Sequence, residues 1–299
     1  MTILGTSSQQ QTRFRNQGAY LLWWNGEGLL FDPGEGTQRQ LIFANIAPTV
    51  ITRIFISHFH GDHCLGLSSI FLRLNLDKVT HTIHCYYPAE GKKYFDRLRY
   101  STIYRDHLCI EEHPVSQEGV VHSDEAFTVK ACFLKHTVPN LAWRIEERDE
   151  RKFDRAKLEQ FGICGPLVKQ LFQEKSLCLQ ERRVSLDEVS WMRKGSAVAV
   201  VLDTLYCEQA IEIAQNAALL LCESTYARTE RELARRYLHL TAEEAGMIAK
   251  AANAKLLVLT HFSARYLSTK SLVEEARVHF PNSYAAREFA TFRFAKEKP

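Results

Sequence analysis

The chain lacks several features that would each narrow its class. No run of about 18 apolar residues occurs, so no transmembrane helix is predicted. The opening Met1-Thr2-Ile3-Leu4-Gly5-Thr6 has no basic segment followed by an apolar one, so no secretory leader is expected. No Cys-x-x-Cys pair is present; the eight cysteines stand singly, several in apolar runs, as buried reduced thiols do. A cytoplasmic location is the expectation that follows. There is no internal repeat or low-complexity tract. Neither charge sign dominates, since the net charge is only +3 over 299 residues, too little to identify a polyanionic partner. Hydrophobic content of 45% and charged content of 24% describe an ordinary globular chain with room for one large domain or two small ones.

Against this plain background stands Ser57-His58-Phe59-His60-Gly61-Asp62-His63, directly behind the apolar run Ile54-Phe55-Ile56. Imidazole and carboxylate are the usual zinc ligands. On a helix, paired histidines stand four apart. Here His58 and His60 are two apart, a spacing that extended or looping backbone turns toward one point. Asp62 and His63 are adjacent and are expected to diverge, which suggests two metals rather than one.

The rest of the chain reads as alternating strands and helices. Ala19–Trp24 and Gly28–Phe31 are strands about an Asn25-Gly26 hairpin turn. Asp32-Pro33-Gly34-Glu35-Gly36 leads to a helix over 37–44, and is either a simple corner or the place of a carboxylate, Asp32, that orients ligand histidines. A buried helix is expected over 65–76, a strand over 81–86, a helix from after Pro88 to about Tyr104, and a strand over 128–134. Residues 145–194 break the pattern, dense in both charge signs, with a Gly165-Pro166 turn; such an insertion is a functional arm or a solvated linker. Alternation resumes with strands at 197–202, 218–222 and 256–259, and Thr241-Ala-Glu-Glu244 is a capping box.

Position is the informative fact. His58, His136, Asp203 and His261 each fall at or just beyond the end of an expected apolar strand, where layered α/β proteins collect their ligand sites. The candidate ligands are thus His58, His60, Asp62, His63, His136, Asp203 and His261. One partition gives His58, His60 and His136 to a first ion and Asp62, His63 and His261 to a second, with Asp203 bridging. Paired ions about 3.5–4 Å apart make a hydroxide nucleophile at neutral pH and suit displacement at phosphorus. Zinc fits best, and manganese or iron (Mn2+, Fe2+) also accept such donors. His81, His84, His107, His113, His122 and His279 lack the strand-end context and are left as ordinary residues.

These residues resemble the tRNase Z (ribonuclease Z) family of the metallo-β-lactamase superfamily, over nearly the whole chain. The matching segments are Leu4-Gly-Thr-Ser-Ser8 with Arg15-Asn16, Phe31–Gln40 with its Gly-Thr-Gln-Arg-Gln, Ser57–His63 with Gly66-Leu67, His136-Thr-Val-Pro139, Asp203-Thr204, Glu223–Tyr226, His239-Leu-Thr241 and Thr260-His-Phe-Ser-Ala-Arg-Tyr266. The resemblance implies an α/β fold, a four-layer αββα sandwich over 1–299 with metals at one edge between the sheets. It implies a metal-dependent endonuclease that removes the 3′ trailer of precursor tRNA and leaves a 3′-hydroxyl. It makes 145–194 a tRNA-gripping arm and a homodimer the expected assembly. His239 becomes the general acid, Asp62 a ligand that doubles as general base, and Ser263 and Arg265 candidate phosphate contacts. Glu223 orients either His239 or a metal ligand. Four departures stand out: Leu202 in place of glycine, Pro33 in place of cysteine, Cys164 where prolines are usual, and Asn140-Leu-Ala-Trp143 in place of a glycine-aromatic pattern. The competing readings are another phosphodiesterase of the superfamily and a non-catalytic RNA-binding relative, the latter opposed by the full set of ligands.

Overall fold

Strands apolar on both faces must be covered on both faces, and the chain satisfies this with two stacked sheets. A computed structural model describes residues 1–179 and 182–294; residues 180–181 of the expected insertion and 295–299 lie outside that description. The first sheet has the order β1 (Thr2–Gly5), β2 (Ala19–Trp24), β3 (Glu27–Phe31), β4 (Ile51–Phe55), β5 (Ile83–Pro88) and β6 (Ile110–Val115). Asn25 and Gly26 both have positive φ (49° and 87°), the geometry of a tight hairpin turn, so the β2–β3 hairpin forms where the sequence predicts. Four helices belong to this half: α1 (Thr37–Phe43), α2 (Gly61–Cys64), α3 (Leu67–Leu76) and α4 (Lys92–Arg99).

The second sheet begins with β7 (Gly119–Ser123), β8 (Phe127–Phe133) and β9 (Leu141–Glu147). After the intervening segment it is completed by four strands with helices between them, one in each connection except the pair between β15 and β16. The segment itself holds β10 (Glu150–Phe153), α5 (Arg155–Gln160), α6 (Pro166–Glu174), β11 (Ser176–Leu179), β12 (Arg182–Ser185) and β13 (Ser190–Arg193). The completing elements are β14 (Ala197–Val201), α7 (Glu208–Ile213), β15 (Leu219–Glu223), α8 (Arg231–Tyr237), α9 (Ala242–Ala251), β16 (Leu257–Thr260), α10 (Lys270–His279) and β17 (Ser283–Ala285). The sheet order is β17-β16-β15-β14-β9-β8-β7, parallel from β14 to β17.

The period of two sorts each strand between two cores. Tyr20, Leu22, Val198, Val200, Leu219 and Leu221 face the opposite sheet, beside Phe55, Tyr86 and Trp143. Leu21, Leu30, Ile54, Cys85 and Tyr87 face α1, α3 and α4 through Leu41, Phe71 and Phe95. Ala199, Val201, Leu220 and Cys222 face α7, α9 and α10 through Ile213, Ile248 and Leu272. The order helix, sheet, sheet, helix is the αββα sandwich.

Several boundaries differ from expectation by a residue or two, the strand expected over 81–86 running Ile83–Pro88, and three differences have a visible local cause or consequence. The helix expected over 65–76 is broken at Gly66, whose N–H donates to Pro33 O at 2.9 Å; a Cβ at Gly66 would collide with the Gly34 carbonyl oxygen. The helix expected to reach Tyr104 stops at Arg99, because Tyr104 Oη caps the Arg99 carbonyl, and Ile103 is exposed. Ile145 and Glu146 belong to β9, so the second compact unit runs Glu147–Ser196. It has its own small core of Ile163, Leu171, Leu177, Val184, Leu186 and Val189. Gly165 takes positive φ (53°) ahead of Pro166, the first residue of α6, where a missing N–H costs nothing.

Candidate metal centre

The side chains at issue converge because the parallel strands end along one edge. Asp32 follows β3, His58 follows β4 by three residues, His136 follows β8 by three, and Asp203 and His261 follow β14 and β16. Asp32, Asp203 and His261 have φ of 43°, 45° and 58°. Left-handed backbone in a non-glycine residue costs on the order of 1–3 kcal/mol. Here it turns each side chain sharply off its strand end, Asp203 and His261 into the cleft and Asp32 onto Ser57 and His63 behind it.

The donor atoms fall into two groups. His58 Nε2 lies 2.9 Å and His136 Nε2 3.3 Å from His60 Nδ1, while Asp203 Oδ2 stands 3.7 and 3.8 Å from His58 and His136. In the other group, Asp62 Oδ2 is 3.4 Å from His63 Nε2 and 3.3 Å from His261 Nε2. Asp203 Oδ2 is also 3.3 Å from His63 Nε2, so this carboxylate lies between the groups. Asp62 and His63 do not diverge as expected. Both sit in the single helical turn α2, and the longer imidazole bends back beside the carboxylate.

Outer contacts fix which nitrogen each ring presents. Asp32 accepts hydrogen bonds from Ser57 N (2.6 Å), from Ser57 Oγ and from His63 Nδ1 (2.7 Å), so His63 turns Nε2 to the centre. Because the Ser57 hydroxyl donates to Asp32, it accepts from His58 Nδ1 at 3.0 Å. His136 Nδ1 donates to Leu238 O at 3.1 Å. Thr225 Oγ1 donates to Glu223 at 2.6 Å and therefore accepts from His261 Nδ1 at 2.9 Å. Four rings thus turn Nε2 to the centre, and His60 presents Nδ1.

Electrostatics makes three of the rings neutral donors. Burial holds the His58, His60 and His136 imidazoles below their ordinary pKa, so they are neutral lone-pair donors. Burial alone would raise the Asp62 and Asp203 carboxyls, but the surrounding histidines pull both well below the usual range. Burial likewise opposes a charge on His63, yet Asp203, Asp62 and Asp32 overcome it and raise that ring. Among the described residues no lysine or arginine pairs with these three carboxylates. His63 Nε2 and Asp203 Oδ1 are buried without a hydrogen-bond partner. Converging lone pairs, uncompensated buried carboxylate and orphaned inward atoms fit divalent cations.

The centre lies in the floor of a cleft of about 780 Å³, lined also by Tyr226, Tyr237, Ser263 and Arg265. His239 reaches it from the left-handed turn at Leu238 (φ 56°) that ends α8. Its Nδ1 is 3.1 Å from Glu223, and its ring is 5.3 Å from that of His136. Burial opposes its protonation, but Glu223 and then Asp203 raise its pKa to about 9. Arg265 is exposed, lies over the Tyr226 ring at 5.1 Å and donates from Nε to Ser263 Oγ at 3.2 Å.

A family model described as the metallo-beta-lactamase superfamily matches residues 12–131. The chain is 63% identical to the ribonuclease Z of Protochlamydia amoebophila over 99% of this chain and 97% of that protein. It is 56% identical to the ribonuclease Z of Chlamydia muridarum with the same coverage. The chain belongs to the ribonuclease Z family. Among solved structures, short-form human tRNase Z aligns with a TM-score of 0.71 at 23% identity, covering 98% of each chain, a likeness of fold.

In this member of the ribonuclease Z family the departures from pattern have structural places. Leu202, before the turn at Asp203, is buried between the sheets. Asn140 Nδ2 donates to the carbonyls of Leu202 (2.8 Å) and Asp203 (2.5 Å), tying that turn to the start of β9. Pro33 lends its carbonyl to Gly66. Cys164 is an exposed residue of the Glu147–Ser196 unit. Sequence reasoning missed Asn140, Thr225 and the Leu238 carbonyl as positioning groups. Thr225 lies inside the Glu223–Tyr226 motif, the one signal that could have pointed to it.

Proposed function

We infer that this chain is an endoribonuclease that processes the 3′ end of tRNA, and we propose that it acts through two divalent ions, most simply Zn2+. One observation carries the reading: in a chain 63% identical along its length to a ribonuclease Z, all seven ligand-type residues gather at one cleft, five of them lining it. His58, His60 and His136 would hold one ion, Asp62, His63 and His261 the other, and Asp203 both. Bound ions would acidify water and offset charge on the phosphoryl oxygens.

The protein's own groups supply the rest. Asp62 takes the proton from the attacking water. The new P–O bond forms as the bond to the ribose 3′-oxygen breaks, and His239, held by Glu223, donates a proton to that oxygen. The tRNA then ends in a 3′-hydroxyl and the trailer carries the phosphate. Ser263 and Arg265, at the rim, contact a flanking phosphate. The Glu147–Ser196 unit grips the tRNA body, a role supported by Arg155, Lys157 and Lys169, exposed cations without an ion pair among the described residues. A homodimer, and the cytoplasm as the place of reaction, complete the proposal.

The test offers the chain a precursor tRNA with a 3′ trailer, with and without encoded CCA, and an unstructured RNA of equal length. A single cut near the tRNA 3′ end, with the unstructured RNA spared, is expected. Equal degradation of both RNAs would refute the assignment.

A further inference from the structure

Two of the histidines set aside in the sequence meet again in the fold, away from the cleft. Glu111 and His113 are two apart on β6 and so share a face. The parallel register sets His84 of β5 opposite Glu111, and Tyr86 opposite His113. That face is the inter-sheet one, since Ile83, Cys85 and Tyr87 point to the helices and Tyr86 to the opposite sheet. His84 lies near the start of its strand, whereas His58 lies beyond the end of β4. The register sets His84 level with Arg53, in the middle of β4, so the cluster lies on the β5–β6 edge of the sheet, short of the strand end from which His58 projects.

Its spacing is that of ligands around one ion. His84 Nδ1 is 3.1 Å from His113 Nε2 and 3.6 Å from Glu111 Oε2, and His113 Nε2 is 3.5 Å from Glu111 Oε1. Donors held at about 2.0–2.1 Å from a tetrahedral zinc ion lie roughly 3.3 Å apart. Tyr86 stacks on His113 with ring centroids 4.4 Å apart, fixing that ring. Partial burial, chiefly, keeps both imidazoles below their ordinary pKa and so available as neutral donors. One cation stands close, Arg53, but it pairs with Glu27 and lies 3.6 Å from Asp124. His122 is also near and is hydrogen-bonded to Asp124 at 2.9 Å. With Glu111 counted, carboxylates outnumber the single guanidinium.

We propose that His84, Glu111 and His113 form a separate divalent-cation site of the zinc class that fastens the edge strand β6 to β5. Water would complete the coordination, since the cluster is partly open. The site is independent of the reaction proposed above: its loss leaves cleavage of precursor tRNA intact.

Zinc alone is the probe. The full chain carrying its cleft metals is dialysed against micromolar Zn2+, and bound zinc per chain and the thermal midpoint are measured. Wild type is expected to hold one more zinc ion than His84→Ala or His113→Ala. Its midpoint rises with added zinc, as binding to the native state requires, while those of the two variants do not. Glu111→Gln, which preserves volume, serves if an alanine variant misfolds, and is expected to weaken the extra site at least tenfold. An unchanged zinc count in all variants, or no additional ion in wild type, overturns the proposal. Loss of precursor cleavage in wild type would instead strike the functional reading.

Discussion

At the scale of single residues, the centre depends on carboxylates that share or orient the donors. Asp203 stands within 3.2–3.8 Å of four candidate ligand rings, so Asp203→Ala is expected to lower bound metal in both groups and cleavage by at least about 1000-fold. Metal analysis of the purified variant beside its cleavage rate checks this. Asp32 reaches the centre only through Ser57 and the outward Nδ1 of His63. Asp32→Ala should therefore weaken metal affinity by about 10- to 100-fold without abolishing it, measured by competition with a chelator. His239 differs from both. His239→Ala is expected to cut turnover by about 100- to 10,000-fold with metal content unchanged; loss of metal would make the residue a ligand or a structural support.

The same scale shows why part of the site was legible and part was not. Ligand-type residues announce themselves by type and by position after apolar runs, so His58, His136, Asp203 and His261 could be read from the chain. Thr225 and Asn140 could not, because hydroxyl and amide groups are common and only the folded contact to His261 or Asp203 gives them meaning. Left-handed backbone at Asp32, Asp203 and His261 has no sequence mark, since aspartate and histidine tolerate it better than most residues yet adopt it at few positions. His84 and His113 are 29 residues apart and meet through strand register alone.

At the scale of elements, strands that are apolar throughout were visible, and edge strands were not. β6 reads Ile-Glu-Glu-His-Pro-Val, polar and proline-bearing as an edge strand tolerates, and offers no apolar run to detect. The break at Gly66 arises from tertiary contact with Gly34, which no local pattern reveals. Gly66→Ala is accordingly expected to destabilise the fold by about 1–3 kcal/mol through overpacking, read as a lowered denaturation midpoint. In the Glu147–Ser196 unit, charge density hid a small apolar core built on Leu171 and Val184. Deleting 150–190 tests the arm as a whole. Cleavage of precursor tRNA should be lost while hydrolysis of a small chromogenic phosphodiester persists, and equal loss of both would deny an exosite.

At the scale of the whole molecule, two sheets with covered outer faces bring strand ends from distant parts of the chain to one edge. That fold is what this chain shares with a solved structure only 23% identical in sequence. The proposed function makes substrate choice and chemistry separable: ligand-type side chains from both sheets gather at the centre, while the arm and the cleft rim would select the RNA.

The most direct measurement strips divalent ions from the chain with a chelator, then reloads it with Zn2+ while following one end-labelled precursor tRNA. Cleavage is expected to vanish, to return with the ion, and to yield a tRNA ending in a 3′-hydroxyl. Undiminished cleavage by the ion-free chain, or a product ending in a 2′,3′-cyclic phosphate, would contradict it.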